Sequence, residues 1–218
     1  MSFNVRLAKD TFGLTAEEVA IFRKLSTPIK IQDYLDTLAI NFEKKGHTNM
    51  SPRTVIREQK AHCFEGAMLA ALALWLHSGL HAGPKEGKDN CGPLILDMRV
   101  PMTGPGEGHC LALYKRDGLW GAISKTNHAA LRFSDPVYAS VRELLMSYFH
   151  ENWDDATGKK LLRGYAGPFD LRKYKPQHFD IGKQKFWGTD WATSDNDCDM
   201  LERDIRYAPS VDLFPKNK

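Results

Sequence analysis

The segment from Cys63 to His77, CFEGAMLAALALWLH, is apolar on nearly every side. A helix of that kind has no solvent face, so it belongs at the centre of a fold, covered all round by other elements. Its apolar run from Gly66 to Leu76 is far shorter than the roughly 20 residues of a membrane span. The cover must then come from the rest of the chain. With 218 residues, 42% hydrophobic, 11% aromatic and 26% charged, the chain can bury one good core and is too apolar for global disorder. The expected class is α+β: a central buried helix packed on an antiparallel sheet, plus an N-terminal helical cap.

Local signals place the other elements. Residues 1–50 read as the cap, 51–153 as the core and 154–218 as a C-terminal extension packing on that core. Thr15-Ala-Glu-Glu18 has capping-box spacing and opens a helix to about Leu25. Pro28 restarts the chain, and Ile31, Tyr34, Leu35, Leu38 and Phe42 recur at helical spacing. Ser51-Pro52 is a further helix start, running to about Lys60. Gly79 should close the central helix, with a loop rich in Gly, Pro and Lys over residues 78–93. Leu94–Val100 reads as a strand and Met102–Gly108 as a loop. His109–Lys115 and Leu119–Ser124 flank Asp117-Gly118, a strong hairpin signal. Ala130–Phe133 suggests another strand. Ser134-Asp135-Pro136 reads as a helix cap, with Val137, Val141, Leu144, Leu145, Tyr148 and Phe149 inward. Beyond Trp153 the tail is polar with aromatics and is expected to wrap the core or be partly mobile.

The chemistry concentrates at two points. A cysteine in the first turn of a buried helix meets free N–H groups and the positive end of the helix dipole, which favour the nucleophilic thiolate. Cys63 occupies that place, and Gly66 and Ala67 would let the turn pack closely on a neighbouring strand. His109 begins a strand after a glycine-rich loop, so its imidazole should sit at a sheet end, free to meet the thiol.

The blocks Ala61-His-Cys63-Phe-Glu-Gly66-Ala-Met-Leu-Ala-Ala, Gly108-His109-Cys-Leu-Ala-Leu-Tyr and Gly118-Leu-Trp120-Gly-Ala-Ile resemble the core of the transglutaminase-like superfamily, in the small bacterial type. The resemblance covers residues 51–150. It implies a papain-like arrangement, with Cys63 as nucleophile, His109 as base and an Asp or Asn beyond them to orient the imidazole. The position aligned with the family's Asp is Ser124, a departure from the pattern. With a two-residue turn, His109 lies opposite Thr126, with Ser124 and His128 on its face. A three-residue turn brings Asn127 to that side, and an amide oxygen is the better acceptor for an imidazole N–H. Asn127 is therefore the expected third member. Gln59, shortly before the cysteine, is a candidate donor to an oxyanion beside the Cys63 N–H.

These residues imply cysteine acyl transfer on an amide or ester, acting on a peptide, protein or small amide substrate. The competing reading is an inactive module of the same fold that binds a partner. No cofactor is expected. A zinc site from His62, Cys63, Cys91, His109 and Cys110 is disfavoured because neighbours on a strand face apart. Asp195-Asn-Asp197-Cys-Asp199 opens like a calcium loop, but Met200 and Arg206 stand where Gly and Glu are needed. A net charge of +3 is too mild to imply a nucleic-acid or membrane partner, and the basic tail (Lys159, Lys160, Arg163, Arg172, Lys173, Lys175) reads as a solvated packing arm. The opening MSFNVRLAKD has no apolar h-region, so a cytoplasmic protein with reduced thiols is expected, and Cys91, Cys110 and Cys198 read as structural.

Overall fold

The computed structural model describes residues 3–44, 46–78, 92–101, 108–174, 178–181, 184–187 and 191–214, with 178–181 and 184–187 as backbone alone. The expected loops over 79–91 and 102–107, with the closing Gly79, lie outside the described residues.

Caps and prolines set the helix starts as expected. Helix α1 (Ala16–Lys24) opens on a full capping box: Thr15 Oγ1 accepts from the Glu18 N–H, and Glu18 Oε2 accepts from the Thr15 N–H at 2.7 Å. Helix α2 (Pro28–Thr37) is capped by Thr27. It stops before Phe42, whose side chain is 67% exposed, because Leu38 turns to an extended conformation. A two-residue strand β1 (Ala39–Ile40) follows. Helix α3 (Pro52–Glu58), capped by Ser51, ends at Gln59 in the left-handed region, and β2 (Lys60–Ala61) pairs with β1 in parallel. Helix α4 (Cys63–Ser78) is the buried helix, covered on every side from Phe64 to His77.

The main sheet is antiparallel. Strands β3 (Leu94–Arg99), β4 (His109–Arg116), β5 (Leu119–Ile123), β6 (Phe133–Tyr138), β7 (Gly164–Asp170) and β10 (Val211–Asp212) lie in the order β10-β7-β3-β4-β5-β6, and β8 (His178–Ile181) pairs with β9 (Gln184–Trp187) separately. The β4–β5 hairpin turns on two residues, Asp117 and Gly118, both at positive φ, with Arg116 opposite Leu119 and Ala112 opposite Ile123. One face of the sheet (Ile95, Cys110, Ala112, Tyr114, Ile123) packs on α4 and the N-terminal helices. The other (Leu94, Leu96, Met98, Leu111, Leu113, Ala122) packs on helix α5 (Val141–Phe149). Strand β4 is thus buried at six consecutive positions instead of alternating. No helix among the described residues is long and apolar enough to cross a membrane.

Two expectations need correction, and the first is the strand read from Ala130–Phe133, where Ala129–Leu131 forms a single 3-10 turn before β6. The helix read from Ser134-Asp135-Pro136 is instead strand β6, and α5 begins after Ser140, whose hydroxyl accepts from the Glu143 N–H. Pro136 is tolerated there because β6 is an edge strand, where a missing N–H costs no ladder bond. Val137 is accordingly exposed, not inward. The C-terminal segment packs on the core and also adds strands to its sheet. Strand β7 pairs along β3, and Trp191 together with Leu201 and Ile205 of helix α6 (Asp199–Arg206) joins the α4 cluster. The aspartates of the failed calcium motif fasten this segment: Asp197 accepts from the Asn49 N–H, Asp199 from Asn49 Nδ2 and Asp195 from Arg57.

Gly66 is where α4 and the chain after β5 come closest. A Cβ on Gly66 would stand 2.3 Å from Lys125 Cβ. Alanine is a better helix former by roughly 1 kcal/mol, yet overpacking such a contact costs about 1–3 kcal/mol. Gly66→Ala is therefore expected to lower the thermal unfolding midpoint by several degrees, measured by circular dichroism.

Candidate active site

The chain delivers Cys63 to the first turn of α4 through β2 and His62. His62 acts as the cap: Phe64 N–H donates to His62 Nδ1 at 3.3 Å, and Gly66 N–H donates to the His62 carbonyl at 2.9 Å. Glu65, fully buried, closes the reverse half by accepting from the His62 N–H at 2.9 Å. The same carboxylate accepts from the Met50 N–H, Thr48 Oγ1 (both 3.0 Å) and Asn41 Nδ2 (3.1 Å). The Glu65 carboxyl group thus ties Asn41, Thr48 and Met50 to the start of the helix. Among the described residues the Cys63 N–H has no acceptor, as is usual for the first N–H groups of a helix.

Cys63 is half-buried and lies among Cys110, His109 and His62. Its thiol is held well below the ordinary range, first because the Cys110 S–H donates to it; burial works against this, and hydrogen bonds from His109 and His62 with the charge of His109 reinforce it. The opposite happens to Cys110, pushed well up by the same sulfur contact, by burial and by the Asp97 carboxylate, whose Oδ1 lies 3.7 Å from its Sγ. Adjacent strand residues face apart as a rule, yet His109 and Cys110 both meet the sulfur, at the first two residues of β4. For His62, burial disfavours the charge, but Cys63, the Glu65 carboxylate and the Thr48 carbonyl outweigh it and raise the imidazole to about 9. The neutral ring caps the helix through Nδ1. In the cation both nitrogens carry protons, so that cap is exchanged for a charge beside the thiolate.

His109 is buried, with Nε2 2.5 Å from Ser124 Oγ. Ser124 is fully buried, and its N–H and C=O are both held by the Gln32 side chain. Asn127, expected to orient the ring, is instead exposed on the cleft wall beyond the end of β5. The physical reason is the hairpin: its two-residue turn fixes the register that brings Ser124 to His109, and the three-residue turn needed by Asn127 does not occur. Gln59 also does not reach the site. Its amide Nε2 donates to the Ile56 carbonyl at 2.6 Å, closing the end of α3, and its side chain is exposed.

These groups open on a cleft of about 1070 Å³, walled by residues 40–43, 47 and 49, the facing ends of β3 and β4, the turn 125–128, residues 151–155 and the end of α6. Sequence reasoning treated His62 only as a metal ligand and Cys110 as structural. The His62-x-x-Glu65 spacing at a helix start was the available signal for the first; nothing local marks the second.

Asp97, beside Cys110, is raised to about 6, first by burial, with Arg99 opposing and the Cys63 charge adding to the rise. Because its folded pKa lies above the ordinary 3.8, its neutral form stabilises the fold below that value, and this contribution is lost as pH rises through about 6. Asp97→Asn is expected to remove a pH-dependent loss on the order of 3 kcal/mol between about pH 4 and about pH 7. Denaturant midpoints of wild type and variant across that range check it.

No model of a known protein family matches the chain, and no curated protein matches it.

Proposed function

We propose that the chain is a cysteine-dependent acyl-transfer enzyme of the transglutaminase-like, papain-like kind, acting on an amide or ester through a Cys63 thioester. The observation that carries this reading is a thiol held well down at the start of a buried helix, between two imidazoles, in an open cleft. The thiolate attacks the substrate carbonyl carbon, and the Cys63 N–H faces the oxygen that gains charge. His109 gives a proton to the departing amine or alcohol as the carbon–nitrogen or carbon–oxygen bond breaks, leaving the thioester. Water, or an amine in a transfer reaction, then attacks the thioester; His109 takes its proton, and the sulfur leaves as thiolate. Ser124 holds the ring by accepting from Nε2–H.

A second reading has one observation in its favour. Ser124 is a neutral hydroxyl where a carboxylate would stabilise the imidazolium by charge, as a module that has kept the fold for binding would tolerate. The test is alkylation by limiting iodoacetamide between about pH 5 and about pH 9, with the modified residue mapped by mass spectrometry. Preferential modification of Cys63 at low pH supports the enzyme. A Cys63 that reacts no faster than the other thiols favours the binding module.

A further inference from the structure

We propose that Gln32, in the N-terminal helix α2, is a positioning residue for the Cys63–His109 pair, acting through Ser124. The inference rests on the acyl-transfer reading above. The last ladder pairs of β5 are those of Ile123, with Ala112 on one side and Phe133 on the other. Ser124 lies one residue beyond, fully buried, with a main-chain donor and acceptor that need partners.

The Gln32 amide supplies both. Its Oε1 accepts from the Ser124 N–H at 3.0 Å, and its Nε2 donates to the Ser124 carbonyl at 2.9 Å. A side-chain amide presents a donor and an acceptor side by side at any pH, so Gln32 stands in for one more residue of strand. It is 2% exposed, which keeps water from taking its place. The orientation of the amide is itself fixed, because Nε2 also donates to Asp36 Oδ1 at 2.9 Å, and Asp36 is paired with Arg132. The next residue binds the same helix: Lys125 Nζ donates to the Leu35 and Leu38 carbonyls at 2.8 and 2.5 Å.

A serine hydroxyl has a short reach and rotates freely, so its value as a partner for His109 depends on where its backbone is held. Here the backbone is held by a helix from the cap, 92 residues away in sequence. The cap therefore does more than cover α4: it sets the ring that meets the thiol.

Gln32→Met keeps the volume and removes both bonds. In protein labelled with ¹⁵N-histidine, the His109 ring Nε2–H signal, assigned with His109→Gln, is expected to be sharp in wild type and broadened or lost in Gln32→Met. The pH midpoint of Cys63 alkylation should rise, slowing the reaction at about pH 6 by roughly threefold for each unit of rise. Val19→Ala, a core truncation in α1 with no bond to this relay, should lower the melting temperature and leave both readouts as they were. Gln32→Glu can donate to the Ser124 carbonyl only when protonated, so its His109 signal should return as the pH is lowered.

An unchanged His109 signal in Gln32→Met overturns the proposal. Should that variant fail to fold, a Gln32→Glu signal that does not recover in acid overturns it equally. If Cys63 proves inert in wild type, the acyl-transfer reading fails by alkylation alone, while the ring signal still decides whether Gln32 positions His109.

Discussion

His109→Ala should slow the alkylation of Cys63 at about pH 6 by tenfold or more, while leaving the protein folded. Removing the imidazole takes away a hydrogen bond and a positive charge that hold the thiol down, so its pKa climbs toward the ordinary 9.0. For each unit climbed, the thiolate present below the pKa falls tenfold, and the more basic sulfur recovers about threefold in nucleophilicity, a net loss of roughly threefold per unit. A rise of two units or more gives the expected effect. It is measured as the rate of Cys63 modification against pH in the two proteins. A rate unchanged within twofold would mean that Cys110 and His62 alone maintain the thiolate, and His109 would lose its role as the partner of Cys63.

The largest effect on stability is expected at Glu65. Glu65→Ala should destabilise the protein by about 3–5 kcal/mol, the range for breaking a buried charge network by removing one partner. The His62 and Met50 N–H groups and Thr48 Oγ1 lose their acceptor together, and Asn41 Nδ2 keeps only its bond to Thr48 Oγ1. All lie against a side chain with no solvent exposure, so each bears a desolvation cost that water does not repay. The start of α4 should fray with this loss, and Cys63 with it. Denaturant unfolding reads the stability, and the alkylation profile reads the site. A loss below about 1 kcal/mol would show that the network is replaceable.

How far the site was legible can be traced residue by residue. Cys63 carries its meaning locally: an apolar helix with no solvent face begins there, and its first turn is where a thiolate is favoured. His109 is marked by the glycine before it and by the hairpin after it. Ser124 and Asn127 were separated in sequence by a single assumption about the turn. Asp117 and Gly118 both adopt positive φ in a two-residue turn, and that geometry selects Ser124. Gln59 shows the reverse error. Its place before the cysteine suggested an oxyanion donor, but in the fold it ends α3 in the left-handed region, and its amide is used by Ile56.

The sequence by itself determined the elements whose cause is local. These are the caps of α1, α2 and α3, the buried α4, the β4–β5 hairpin, and the placing of a thiol at a helix start and an imidazole at a strand start. Each depends on groups within about four residues of one another or on a repeating apolar period. Tertiary structure alone decided the rest. Strand β6 replaced a plausible helix because an edge position was open to Pro136, and β7 entered the sheet from the tail. Glu65 gathered donors from a segment 15 to 24 residues away, and Gln32 reached Ser124 across 92. The physical reason is the same in each case. A buried polar group must find a partner wherever the fold brings one, and no local pattern records which distant residue that will be.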